Sequence, residues 1–282
     1  MPLKTQVKNT PPVRDNKNSL AMIMVGLLVI SSFVIGSLYQ KVKYLEKGTT
    51  TVDSANQQQA AQTADDQAQP AEEKVEIEKI KEAFDKSLVK FGKADSKLIL
   101  IEVADPSCPY CHVAAGKNSE LNSQVGDRFK LVSEGGTYVA PVIEMKKLVD
   151  AGKAAFAWLY TNGHGNGEMG TKALYCAHEK EKFWQVHDLL MTNKGYTLLN
   201  ETVKNDKTKV QALADFLSPA FNARDMKDCL ESGKYDDRLQ TDSGLASSIG
   251  VQGTPGFFIN TTKFAGAYNY TDMKSAVDTA LN

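Results

Sequence analysis

Lys97 to His112 reads KLILIEVADPSCPYCH, and the fold turns on this stretch. Lys97–Val103 is a short apolar run that suits a buried strand. Asp105 and Pro106 break it. Pro109 then suits the first turn of a helix, where its missing N–H costs nothing. The stretch therefore predicts strand, short loop, Cys108, helix.

Disulfide exchange needs a thiolate that attacks and a second thiol that resolves the mixed disulfide. Cys108-Pro109-Tyr110-Cys111 at a helix start offers both. Cys108 would sit at the N-terminal end, beside unpaired backbone N–H groups and the positive end of the helix dipole. Those favour the thiolate and lower the thiol pKa from its free value of roughly 8.5. Cys108 reads as the nucleophile and Cys111, one turn in, as the resolving thiol. Glu102 lies in the strand and has two readings. It is a buried acid that exchanges the Cys111 proton, or a solvent-facing carboxylate on the outer side of the strand.

The same residues admit three rival chemistries. Zinc binding normally takes a second cysteine pair or a distant histidine pair, and Cys176 and Cys229 stand singly. CPYCH, Cys108 to His112, matches the attachment pattern of c-type haem. A structural bridge over so short a span would make a poor staple, because closing a long loop stabilises more. In the disulfide-exchange reading, His112 is a helix residue near the thiols that tunes Cys108 if it is charged. No metal and no cofactor is expected.

Upstream, Ser19 to Tyr39 reads SLAMIMVGLLVISSFVIGSLY, an uncharged run. At ~1.5 Å per residue it spans a hydrocarbon core of roughly 30 Å. It exceeds the apolar length of about 7–15 residues in a cleaved signal, and Lys41, Lys43 and Lys47 follow where a cleavage site would stand. Residues 19–39 therefore read as an uncleaved transmembrane anchor. Lys4, Lys8, Arg14 and Lys17 put the tail, residues 1–18, in the cytoplasm. Residues 40–72 read as a flexible linker, since Gly48 to Ala71 holds one proline and no aromatic. Helical spacing of Val75, Ile80, Ala83, Phe84 and Leu88 predicts a helix from Glu72, with Gly92 as its stop.

The 282-residue chain is 42% hydrophobic and 24% charged, so residues 73–282 can bury a core of their own. A net charge of −1 and the lack of a basic stripe exclude nucleic acid as a partner.

From about Lys97 onward the sequence resembles the DsbA family of thioredoxin-fold proteins. The strand into Cys-Pro-Tyr-Cys carries part of the resemblance. ALYCAHEKEKFWQVHDLLM, Ala173 to Met191, looks like the family's inserted helical domain. IGVQGTPGFFIN, Ile249 to Asn260, looks like the loop and strand that face the redox motif. The resemblance implies an α/β, thioredoxin-like fold with a helical insertion at about 166–246. It implies a cis Pro255, with the Thr254 backbone, Pro109 and Tyr110 meeting an extended substrate. It also favours the buried reading of Glu102.

Residues 129–170 depart from the family pattern as a longer link, ending in the glycine-rich TNGHGNGEMG. His164 in that loop reads as a polar loop residue or as one that borders the active site, and His178 and His187 as packed core histidines. Cys176 and Cys229 each read as a small buried hydrophobe or, in an oxidising space, as a disulfide closing a loop of about fifty residues.

These readings combine into a single-pass protein of the cell membrane, with its catalytic domain outside the cytoplasm or in a periplasm. It would oxidise dithiols of unfolded or cysteine-containing envelope proteins, and a DsbB-like membrane partner would reoxidise it. Proline and an aromatic residue between the cysteines resemble the oxidising branch. Reductase, isomerase and chaperone-like peptide binding are the alternatives.

Overall fold

The computed structural model describes residues 73–282. The expected tail, anchor and linker (1–18, 19–39 and 40–72) lie outside the described residues. Among the described residues no helix is long and apolar enough to cross a membrane.

Six strands form one sheet: β1 (Glu73–Lys74), β2 (Val89–Phe91), β3 (Ile99–Ala104), β4 (Ala155–Tyr160), β5 (Gly256–Ile259) and β6 (Thr262–Ala265). Their spatial order is β1-β6-β5-β3-β4-β2. Only β3 and β4 run parallel; every other pairing is antiparallel. β3 and β4 are buried along their whole length, as their near-continuous apolar sequences require.

Residue alternation divides the two faces. Ile99, Ile101, Val103, Ala155, Ala157, Leu159 and Phe258 pack on one side with Ile80 and Phe84 of α1 (Ile77–Lys86). Leu100, Ala104, Phe156, Trp158, Phe257 and Ile259 pack on the other, together with Cys108 and Cys111. Glu102 falls on this second face by the same alternation, flanked in register by Trp158 and Phe257.

The expected helix from Glu72 to Gly92 is a correction. Helix α1 ends at Lys86, where the Ser87 hydroxyl donates to the Phe84 carbonyl at 2.7 Å. Val75 precedes the helix, Leu88 follows it, and Val89–Phe91 pairs with β4 as an edge strand. Gly92 ends that strand with φ +80°, so close to β4 that a Cβ would stand 2.9 Å from Ala155 Cα. Apolar spacing alone does not see a partner strand.

The short helices α2 (Pro109–Ala115) and α3 (Ser119–Gln124) follow β3, and α4 (Pro141–Asp150) leads into β4. Residues 129–170 thus carry regular elements of the sheet layer. AAFAWLY supplies β4, the parallel neighbour of β3, and IEMKKLVD lies in α4.

Between β4 and β5 the chain forms the helical insertion: α5 (Glu168–His178), α6 (Phe183–Leu190), α7 (Asn193–Thr197), a wide π-helical turn (Leu198–Val203), α8 (Val210–Leu217), α9 (Ala223–Glu231) and α10 (Asp236–Ser248). Cys176 on α5 and Cys229 on α9 are joined as a disulfide, 53 residues apart. Buried Asp242 on α10 accepts from Tyr175 Oη, Arg238 Nε and the Tyr160 N–H, which ties the insertion to the end of β4. α11 (Tyr270–Leu281) closes the chain.

Candidate active site

The end of β3 delivers the chain into a turn at Asp105–Ser107 and then into α2, with Pro109 as its first residue. The Cys108 carbonyl accepts the Cys111 N–H at 3.1 Å and the His112 N–H at 3.3 Å. Both thiols are free; Cys108 is 4% exposed and Cys111 fully buried. Tyr110 between them is 42% exposed and leans on Phe129 in an edge contact at 5.8 Å.

The two thiols are driven in opposite directions. Cys108 is lowered to about 6, first by the hydrogen bond from Cys111 and then by Thr254 and the N–H groups of Cys111 and Tyr110, against the opposing pull of burial. Burial pushes Cys111 well above its ordinary value, and the neighbouring Cys108 and Glu102 charges add to that. The Asp105 N–H donates to Cys111 Sγ at 3.5 Å.

The loop before β5 supplies the facing wall. The Thr254–Pro255 peptide bond is cis, and the Thr254 carbonyl stands 3.5 Å from Cys108 Sγ. Pro255 is buried and Thr254 half-buried beside it.

Glu102 is fully buried, with no hydrogen-bond partner for either carboxyl oxygen, and burial raises its pKa to about 8. The solvent-facing alternative is thereby removed. A neutral carboxylic acid at this depth can give up or take a proton near physiological pH.

His112 follows Cys111 on α2. Its ring is buried, with Nε2 2.8 Å from the Pro106 carbonyl and Nδ1 3.0 Å from the Met191 carbonyl. Burial takes its pKa down to about 4, against the pull of those two carbonyls. It is neutral at pH 7 and does not act on Cys108 as a cation. As a neutral ring it donates to one of the two carbonyls. Cys176 and Cys229 are bonded to each other and offer no thiolate to zinc. Among the described residues no group of three or more His, Cys, Asp or Glu side chains is placed to hold a metal ion.

His187 is buried on α6, in hydrogen-bond distance of Asp188, and His178 is half-buried against Phe91 and Phe183. His164 is exposed in the glycine-rich loop.

That loop is the part the sequence did not reveal. Buried Asp105 accepts the N–H groups of Gly163 and His164, each at 2.9 Å, across nearly sixty residues of chain. Ser107 gives Asp105 both its N–H and its hydroxyl at 2.7 Å, and its Oγ accepts the Asn166 N–H. The one local sign was Asp-x-Ser, a pattern that closes an Asx turn.

A family profile described as Thioredoxin matches residues 142–279. The chain is 25% identical over 193 residues to a Na(+)/H(+) antiporter, NhaA 3, of Salinispora tropica, covering 67% of this chain and 24% of the antiporter. It thus spans about a quarter of that relative's length. It is 20% identical over 202 residues to Disulfide bond formation protein D of Bacillus subtilis, covering 67% of this chain and 75% of that protein. The crystal structure of a variant of alpha-DsbA1 from Wolbachia pipientis superposes with a TM-score of 0.52 at 18% identity, over 72% of this chain and 96% of that one. The fold is thioredoxin-like, with a helical insertion set between β4 and β5.

Proposed function

We propose that this protein is a thiol–disulfide oxidoreductase that oxidises dithiols of cysteine-containing envelope or secreted proteins outside the cytoplasm. Residues 19–39 tether it to the cell membrane, with residues 1–18 inside and 40–72 as the reach between anchor and domain. One observation carries the reading. Two thiols one helical turn apart are poised unequally: Cys108, beside the Thr254 carbonyl, is lowered to about 6, and Cys111 is buried and raised.

In the oxidised couple a substrate thiolate attacks Cys108 Sγ. The Cys108–Cys111 bond breaks, and Cys111 departs with the electron pair and takes up a proton, with Glu102 beneath it as the donor. A second substrate thiolate then attacks the substrate sulfur of the mixed disulfide. Cys108 departs as a thiolate, and the substrate has lost two electrons and gained a disulfide. A thiol of low pKa leaves readily and favours the reduced protein, which is the oxidising direction. Thr254 and Pro255, with Pro109 and Tyr110, receive the substrate as an extended chain. A DsbB-like membrane protein draws the two electrons off Cys108 and Cys111.

The potential of the Cys108–Cys111 couple, equilibrated against glutathione, tests the direction. A value well above the thioredoxin potential of about −270 mV is expected. A value at or below it would assign the protein to reduction.

A further inference from the structure

The glycine-rich loop is an organised surface, and every bond that holds it leads back to the redox turn or to the insertion. Asp105 Oδ2 takes the Gly163 and His164 N–H groups, and Asp105 Oδ1 takes the Ser107 N–H and hydroxyl. Asn200, in the π-helical turn, donates to the Ser107 carbonyl and accepts from Asn166, both at 3.1 Å. Asn205 donates to the Gly165 carbonyl at 2.9 Å and accepts the Met169 N–H at 3.1 Å. A fully buried carboxylate surrounded by four donors makes hydrogen bonds of the strong, charge-assisted kind.

Those bonds press the loop onto the residue beside Cys108. A Cβ on Gly163 would lie 1.8 Å from Thr254 Oγ1, and one on Gly167 would lie 1.8 Å from Asp105 Oδ1. Thr254 Oγ1 is buried without a hydrogen-bond partner, covered in part by Gly163. The outer face of the loop, Asn162 to Gly165, is exposed. One polar, solvent-facing stretch of backbone therefore flanks the loop whose carbonyl touches the Cys108 sulfur.

We propose that residues 162–166 form a second wall of the groove that receives an extended, cysteine-bearing chain, and that Asp105 is the positioning residue that latches this wall against Thr254. The proposal rests on the exchange reading above and adds where selectivity for polypeptide over small thiols resides. A small dithiol reaches Cys108 without the wall, whereas an extended chain runs along it.

The test uses the full-length protein, with Asp105→Asn and Asn205→Asp as separate variants, the second removing the donor that holds the Gly165 carbonyl. Exchange is followed with a cysteine-containing peptide and with dithiothreitol, resolving KM from kcat. Asp105→Asn sets an amide NH2 against backbone donors on one side of the latch, and its cost falls on peptide binding. For each variant the expected result is a peptide kcat/KM reduced roughly tenfold more than the dithiothreitol rate, with the change carried by KM. The ultraviolet titration of the Cys108 thiolate should keep its midpoint. Equal losses on both substrates, or a displaced thiolate midpoint, would show Asp105 acting on the couple and overturn the assignment. So would an unmoved peptide KM in both variants. If Asp105→Asn does not fold, Asn205→Asp decides alone, since it removes the donor to the Gly165 carbonyl and leaves Asp105, Thr254 and their contacts in place. Wild-type protein that exchanges with neither substrate would instead sink the exchange reading itself.

Discussion

Cys108 and Cys111 face each other across the first turn of α2, three residues apart and unbonded; Cys176 and Cys229 lie on α5 and α9, 53 residues apart and joined. The residue type is the same, and the surroundings decide what each pair does. Cys108 meets the Cys111 thiol and the N–H groups of Cys111 and Tyr110, which stabilise its thiolate. Cys111, one turn deeper, has burial and neighbouring charge against it. Such a pair gains from changing state. Cys176 is 1% exposed among Leu174, Tyr175 and Ala177, and its bridge closes a long loop across the insertion. Such a pair gains from staying as it is.

The sharpest way to break that contrast is to remove one sulfur from each pair. Cys108→Ser should lower peptide exchange by about a thousandfold or more, because the remaining thiol, Cys111, is fully buried and out of a substrate's reach. Thermal unfolding of this variant should stay close to that of the wild type. Exchange that survives the substitution would end the distinction between the two pairs. The double variant Cys176→Ala/Cys229→Ala should do the reverse. Loop closure over that span contributes roughly 4 kcal/mol in the chain-entropy account, read as a lower denaturant midpoint. Its exchange rate at 25 °C should stay within about twofold of wild type.

Glu102 offers a subtler test, because it sits under the reactive pair and costs the fold stability. The folded state keeps its proton up to about pH 8, whereas the unfolded chain releases it near 4.5. The raised pKa means that wild-type stability is greatest below about pH 4.5 and is lost as pH rises towards 8. Glu102→Gln has no such loss and should be more stable by about 3 kcal/mol at pH 7, measured by denaturant titration. It should also exchange disulfides more slowly, since Cys111 loses its proton donor. A variant that is more stable and equally fast would remove Glu102 from the chemistry and leave it as packing.

The contrast between local and distant information runs through the whole chain. Strand β3, the turn and α2 were legible because their signals are local: an apolar run, Asp105-Pro106, and Pro109 at a helix start. Glu102 was ambiguous because the face a strand residue takes depends on its neighbours, here Trp158 and Phe257, which lie far away in sequence. The overrun of the first helix has the same origin, since Val89–Phe91 becomes a strand only through its ladder with β4. The glycine-rich loop keeps two readings in the sequence, plain polar loop or border of the active site, because its latch, Asp105, acts from the far side of α2, α3, α4 and β4. Asp105 itself was read only as a strand breaker. The link at 129–170 seemed an insertion because strand β4 within it has no partner in sequence, only in space.

His112 gives the smallest effect and the most specific one, because it stands at the join between the reactive turn and the insertion. Its ring spans the Pro106 carbonyl on one side and the Met191 carbonyl on the other, and it is held neutral by burial, with a pKa of about 4. A neutral ring donates to only one of those carbonyls, and a second proton would satisfy both only by placing a cation in the core. The unfolded chain takes that proton near pH 6.5, so this contribution to stability is complete above 6.5 and is lost as pH falls towards 4. At pH 5 the loss relative to pH 7 should be about 2 kcal/mol. Glu102 titrates in the opposite sense over pH 4.5 to 6.5, so the wild-type curve alone mixes the two. The difference between wild type and His112→Gln isolates the histidine, because Glu102 is common to both. A difference that narrows steadily from pH 7 to pH 5 would tie the histidine to the join. A difference flat over that range would mean that His112 takes its second proton in the fold as readily as in the unfolded chain, and one that widens would mean that the clamp between the turn and the insertion is already ionic.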